Sequence, residues 1–379
     1  MHDGRTAGRK VLIAGLFPPP VDGQRLVTQR MFERLDAATM VTRCDLDRFP
    51  RLGALSKPLS ALLACVALPG ARLKGFRMLY LAPHSGLGLA YSCAIALVGR
   101  CAGYALSIHY HSYRNMTRHS PLMAAFVQIC GGSARHIVLA PPMARDLRRL
   151  YRSVRNVSVV SNTVFVAPRP AVRRPETGRL RLGHLSNLCR DKGIAEVLQC
   201  FRALRERGVD AILRLAGPAA DAETEELIEA AQSEFGERLD YFGRLGPPDV
   251  PRFYDEIDVF LFPTAHAHEA EPLVIVDAVA AGVPVVATDR GCIGYLLGAD
   301  AGCVFDGENY VARAAEQLAL WARRPEALAR VSQRAAARFQ ELHAASRLQL
   351  DHVIGMILDE RPTPPPRSPE RPRRATPPA

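Results

Sequence analysis

Two carboxylates eight residues apart pose the first chemical question about this chain. Glu269 and Asp277 stand in the segment Phe262 to Gly291, FPTAHAHEAEPLVIVDAVAAGVPVVATDRG. A strand is expected to end at Phe262, Pro272 sits where the first turn of a helix tolerates proline, and a second strand follows at Pro284 to Thr288. In an open parallel sheet, loops after the strand ends face the ligand crevice, so Glu269 is expected there and Asp277 about a turn and a half into the helix. Such carboxylates accept hydrogen bonds from neighbouring hydroxyls of a sugar or ribose. Acidic groups before a helix also favour its positive end without any ligand, and spacing alone leaves both readings open.

Two further groups invite chemistry. Leu182 to Gly193, LGHLSNLCRDKG, reads as strand, loop and helix start, with Lys192 beside a glycine where a compact ammonium makes an anion site. In SIHYHSYRN, His109 and His111 share one face because side chains alternate along a strand, and that face looks into the crevice. A histidine near a strand end is also commonly a hydrogen-bonded structural group.

The elements that must carry these residues alternate between short β-rich runs and helical patterns, which predicts α/β units with parallel sheets. Strands are expected at Lys10 to Gly15, Met78 to Ala82, Ala105 to His109, His136 to Leu139 and Val157 to Val160. In the second half they are expected at Leu180 to His184, Ala211 to Ala216, Leu239 to Phe242, Val259 to Phe262 and Pro284 to Thr288. Two sheets in one chain of 379 residues imply two Rossmann-like domains, at 1–170 and 171–345, joined through a Pro- and Arg-rich linker. A helix at 346–360 follows. The tail at 361–379, Pro, Arg and Ser with almost no apolar residue, is expected to be disordered.

Composition narrows the class. Apolar residues at 48% and charged residues at 23% are ordinary for a folded globular protein. The stretch Gly86 to Gly99 is too short for a membrane span, so no transmembrane helix is expected. Nine cysteines without a C-x-x-C pair fit a reduced, cytoplasmic compartment. Residues 1–170 hold 23 Lys and Arg against 7 Asp and Glu, residues 171–360 hold 21 against 30, and the tail holds 5 against 1. The basic first half suits an anionic partner, such as a phosphate-bearing acceptor or an acidic membrane surface. The glycine pair Gly86 and Gly88 fails as a dinucleotide fingerprint because Tyr91 holds the third glycine position.

The segment around Glu269 resembles the E-x7-E signature of retaining glycosyltransferases of the GT-B fold, in particular family 4. It matches at Glu269, Leu273, Val274, Asp277, Ala278, Ala280, Gly282, Pro284, Val285, Val286 and Ala287, with Asp277 where the family has Glu. The resemblance implies that Glu269 approaches the donor sugar and Asp277 holds the ribose, with about 1.5 Å less reach than Glu and Glu271 as a spare acid. Leu182 to Gly193 resembles the family's G-R-L-x-x-x-K-G element, which assigns Lys192 to the donor diphosphate. Ser186 stands where the family has its Arg, so Arg190 is the alternative second charge, and Ser186 and Asn187 are expected to donate to phosphate oxygens. Gly23, in FPPPVDGQRLVTQ, matches a glycine of the loop that approaches the donor phosphate, although a Pro-rich turn needs such a residue for its own backbone angles. His111, with His109 as alternative, matches a histidine near the donor sugar or reaction centre.

The resemblance implies two Rossmann-like domains facing across a cleft, and a retaining transfer of a hexose from a nucleotide diphosphate sugar to a glycan or lipid-linked acceptor. The setting it suggests is polysaccharide biosynthesis. No cofactor and no metal are expected, since no D-x-D motif stands at a strand end. The enzyme would be cytoplasmic or bound peripherally at the inner membrane face. A protein that binds the nucleotide sugar without turning it over is the second reading, because the Arg is absent and the second acid altered. A nucleic-acid-binding protein would explain the basic half and the tail, but interleaved aromatics and recognition motifs are missing, so nucleic acid is not an expected partner.

Overall fold

The computed structural model describes residues 10–169 and 178–358. The boundary expected at 170/171 and the tail at 361–379 lie outside the described residues. The first lobe alternates as far as its fourth strand: β1 (Lys10–Gly15), α1 (Gly23–Asp36), β2 (Val41–Asp45), α2 (Ser56–Leu73), β3 (Phe76–Leu81), α3 (Leu89–Cys101) and β4 (Ala105–His109). It continues through α4 (Arg114–Thr117), α5 (Pro121–Cys130), β5 (Arg135–Val138), α6 (Pro141–Leu150) and β6 (Asn156–Val159). Its six strands are parallel, in the order β2-β1-β3-β4-β5-β6.

The second lobe repeats the plan. It runs β7 (Leu180–Leu185), α7 (Ile194–Glu206), β8 (Ala211–Ala216), α8 (Ala222–Phe235), β9 (Leu239–Tyr241), α9 (Asp249–Asp255) and β10 (Val259–Phe262). Then come α10 (Leu273–Ala280), β11 (Val285–Thr288), α11 (Ile293–Leu297), β12 (Gly302–Phe305), α12 (Tyr310–Arg323) and α13 (Pro325–Leu358). This sheet is also parallel, ordered β12-β11-β10-β7-β8-β9. Central strands read as unbroken apolar runs because helices cover both faces; Val11, Ile13, Val259, Phe260 and Leu261 are fully buried. Burial of each such side chain contributes roughly 1.5–3 kcal/mol.

All ten expected strands are present, within two residues at either end. Two were not anticipated, β2 and β12, and both lie on sheet edges. The helix expected at 346–360 is the second half of the 34-residue α13. Ala335, Phe339 and Leu342 pack it on the second lobe, whereas Leu350, Val353 and Ile357 join the core of the first. The helix is therefore a strap across both lobes, and the chain passes residue 345 without a break. One segment, Pro50–Leu73, is long and apolar enough to cross a membrane by length and composition, a stretch the sequence reading did not single out.

Candidate active site

The loop after β10 is fixed before it can present an acid. Asp191 O accepts from Ala265 N–H at 2.9 Å and His266 N–H at 3.1 Å, and Thr264 Oγ1 donates to the same carbonyl at 3.2 Å. Thr288 Oγ1 donates to Thr264 O at 2.6 Å, and Cys292 N–H to Ala270 O at 2.9 Å. Two glycines let the backbone close in. Gly193, at φ 85°, lies so near that a Cβ there would sit 2.3 Å from Pro263 O, and one on Gly291, at φ 54°, would sit 1.9 Å from Glu269 O. No side chain fits at either place.

That loop brings Glu269 to Lys192. The Lys192 ammonium contacts the Glu269 carboxylate, and both groups are mostly shielded from solvent. Lys192 also lies over the Phe262 ring, 5.8 Å from its centroid. The first acid and the anion-site lysine, predicted from separate motifs, thus share one place at the carboxyl ends of β7 and β10.

Asp277, the fifth residue of α10, has other neighbours. Burial pushes its carboxyl up to about 6, opposed by the Arg30 and Arg169 guanidinium groups. Its carboxylate accepts no hydrogen bond among the described residues. The two acids of the motif therefore do not share a partner: one lies at Lys192, the other toward α1 and the linker.

Glu271 is not a spare acid for ligand hydroxyls. It is 4% exposed; Ser161 Oγ donates to Oε1 at 2.8 Å, the Asn162 N–H donates to Oε2, and Asn162 Nδ2 donates to its backbone carbonyl at 2.8 Å. Ser161 and Asn162 belong to the first lobe, so the carboxyl joins the lobes. Burial holds it up at about 7 against the pull of those two donors. A second tie lies nearby, where Tyr113 N–H donates to His268 O at 3.2 Å.

The expected phosphate donors fare differently. His184 faces Leu261 O through Nδ1 at 2.8 Å and Ser186 Oγ through Nε2 at 3.0 Å. Burial lowers this imidazole to about 4. A neutral ring facing a carbonyl carries its proton there, so Nε2 accepts from Ser186. Ser186 spends its hydroxyl proton on His184 and turns only lone pairs outward, which removes it as a side-chain donor to phosphate. Arg190 is not free either, since its guanidinium holds Glu223 at 2.5 and 2.9 Å on the open surface. Asn187 is exposed. Gly23 is the first residue of α1; a Cβ on it would stand 3.9 Å from Leu273 Cδ1, so it faces the start of α10 from the other lobe.

On the first lobe, the rings of His109, the last residue of β4, and His111, two residues past its end, lie 4.1 Å apart. His109 is fully buried and bonded through Nδ1 to Tyr80 Oη at 2.5 Å. Both ring nitrogens of His111 are buried without a hydrogen-bond partner. Burial pushes His111 down to about 3, so its ring is neutral at physiological pH. His109 lacks a partner only at Nε2, whereas His111 lacks one at both nitrogens. His84, at the end of β3, is likewise lowered to about 4 by burial and has both nitrogens unpartnered.

Sequence reasoning missed His184, Thr264, Ser161, Asn162 and the clamping role of Gly193 and Gly291. His184 sits inside the motif that was read, two residues before Ser186, but nothing local announces a bond to a neighbouring strand. Among the described residues no cluster of three or more His, Cys, Asp or Glu is placed to hold a metal ion.

Comparison with known proteins adds to this geometry. Residues 170–338 match the family model described as glycosyl transferases group 1. WcaL of Escherichia coli K12, named as a colanic acid biosynthesis glycosyltransferase, is 30% identical over 158 residues, which is 40% of this chain and 38% of WcaL's own length. A glycosyltransferase structure from Rickettsia africae superposes with a TM-score of 0.70 at 11% identity, covering 94% of this chain and all of that one. Anabaena HepE in complex with UDP-glucose superposes at 0.62 and 16% identity, covering 92% of this chain and 99% of that one. At such identities the structures establish a shared fold. The chain therefore has the two-lobed GT-B architecture, and its residues 170–338 match the glycosyl transferases group 1 model.

Proposed function

We propose that this protein is a retaining glycosyltransferase that moves a hexose from a nucleotide diphosphate sugar to a glycan or lipid-linked acceptor. The observation that carries the reading is the Lys192–Glu269 contact at the ends of β7 and β10. In it a cation for the diphosphate and an acceptor for sugar hydroxyls stand together. The bound UDP-glucose of HepE, on the same fold, supports a nucleotide-sugar donor. The match of residues 170–338 to the glycosyl transferases group 1 model supports placing the donor on the second lobe.

Donor entry would exchange the Lys192–Glu269 pair for two ligand contacts, ammonium to phosphate and carboxylate to sugar hydroxyl. The first residues of α7 after Gly193 present backbone N–H groups that add to the anion site without a metal. Asp277 would hold the ribose in its ionised form. His111, neutral and unpartnered, would hydrogen-bond the donor sugar from the opposite lobe. Bond breaking and making would occur on one face of the sugar, the leaving phosphate oxygen taking the acceptor's proton, so protein groups stabilise separated charge. Lobe closure through the Glu271 and Tyr113 contacts would exclude water.

A panel of labelled nucleotide sugars tests this: transfer with at least one donor is expected. Donor binding without transfer or hydrolysis, across a range of acceptors, would favour a binding protein that retains the fold.

A further inference from the structure

Between Asp47 and Asp146 the chain contains no acidic residue in 98 positions, yet 11 Lys and Arg. α2 lies in this stretch. Its inner face, Ser56, Ser60, Ala61, Ala64 and Leu68, is buried on the first sheet. Ser56 Oγ donates to Asp47 Oδ1 at 2.6 Å, and Ser60 Oγ accepts from Arg48 N–H at 3.0 Å, so the helix is tied down along the lobe.

The outer face should then be charged, as surface helices are. It is apolar instead. Leu55, Leu62, Val66 and Leu73, spaced by seven, four and seven residues, are 67%, 60%, 70% and 90% exposed, and no charged residue occurs between Lys57 and Arg72. α3, packed beside it, adds Leu97, which is also exposed. Arg51 and Lys57 at the start of α2, and Lys74 and Arg77 just past its end, are all exposed and without an ion pair among the described residues. An apolar stripe with a cationic rim on a helix lying flat is the pattern of an interfacial helix.

We propose that the outer face of α2, with Leu97 of α3, docks this protein on an anionic lipid bilayer. The apolar residues enter the headgroup boundary while the rim cations meet lipid phosphates. Charge chooses this occupant over a second copy of the chain. Two copies meeting through this face would oppose cation to cation, with no acid in the whole stretch to relieve it. The inner-face tethers make α2 a surface helix, not a span, despite its length and composition.

The test is flotation of the full chain with vesicles of phosphatidylcholine alone or mixed with phosphatidylglycerol, without any donor, so that its result is separate from the reaction. Binding to the mixed vesicles at low salt, lost at high salt and absent from phosphatidylcholine alone, is expected. The double variant Leu62→Glu/Val66→Glu should reduce binding by about tenfold or more. A second variant, Leu62→Trp, reads the same face without disturbing charge. Its emission should shift to the blue on mixed vesicles and be quenched by brominated acyl chains. Unchanged emission together with no flotation overturns the proposal, as does a dimer in light scattering that the double glutamate variant dissociates.

Discussion

Lys192 and Glu269 are 77 residues apart in sequence and in direct contact at the ends of two adjacent strands. Their meeting depends on neither side chain alone. Asp191 O draws in the loop after β10, Gly193 and Gly291 permit its close approach, and the cation and the acid converge as a result.

The clamping glycines give a first prediction. Gly193→Ala forces a non-glycine residue into the left-handed region, at about 1–2 kcal/mol from the backbone alone, and adds a clash with Pro263 O. The melting temperature should fall and donor affinity should weaken with it. Unchanged values in thermal unfolding and donor titration would show that the loop does not need this approach.

Glu271 gives a prediction about pH. Its folded-state value of about 7, against an ordinary 4.5, means the folded protein holds a proton there that the unfolded chain releases. The stability this contributes is complete below about 4.5 and is lost as pH rises through about 7. In Glu271→Gln that loss should vanish. Melting temperature followed across this interval, for wild type and variant, should show a slope in the first that is missing from the second.

Asp277 predicts a pH dependence of opposite sense. Its carboxyl titrates near 6, and the ionised form is the better acceptor for ribose hydroxyls. Donor affinity should therefore improve as pH rises through about 6, and Asp277→Asn should be weaker and flat across that range. Calorimetric titration at several pH values checks both features.

His111 should matter more for ligand than for fold. Its nitrogens bond nothing among the described residues, so His111→Ala leaves no protein group unpaired, whereas His109→Ala deprives Tyr80 of its partner. His111→Ala should keep its melting temperature and lose transfer rate by roughly tenfold or more. His109→Ala should lose stability.

The sequence reading recovered the sheets because buried parallel strands are written as apolar runs, as in β1 and β10. It passed over β2 because Val41 to Asp45, VTRCD, carries Arg and Asp in a half-buried edge strand, and it also passed over the half-buried edge strand β12, Gly302 to Phe305. Within the site, Glu269 and Lys192 were legible because loop placement at strand ends depends on topology alone. The fate of Glu271 and Ser186 was not. Each is decided by a partner that only the folded chain supplies: Asn162, 109 residues away, and a histidine ring oriented by the carbonyl of Leu261. Likewise nothing local marks the outward leucines of α2 as residues that the fold leaves uncovered.

The most direct test of the central claim is donor binding and transfer in Lys192→Ala and Glu269→Gln, measured beside the wild type with the donor found by the panel. Lys192→Ala should weaken donor binding by roughly tenfold to a hundredfold, the loss of a charged hydrogen bond, and Glu269→Gln should lower transfer by a similar or larger factor. Donor affinity and transfer rate unchanged in both variants would contradict the account.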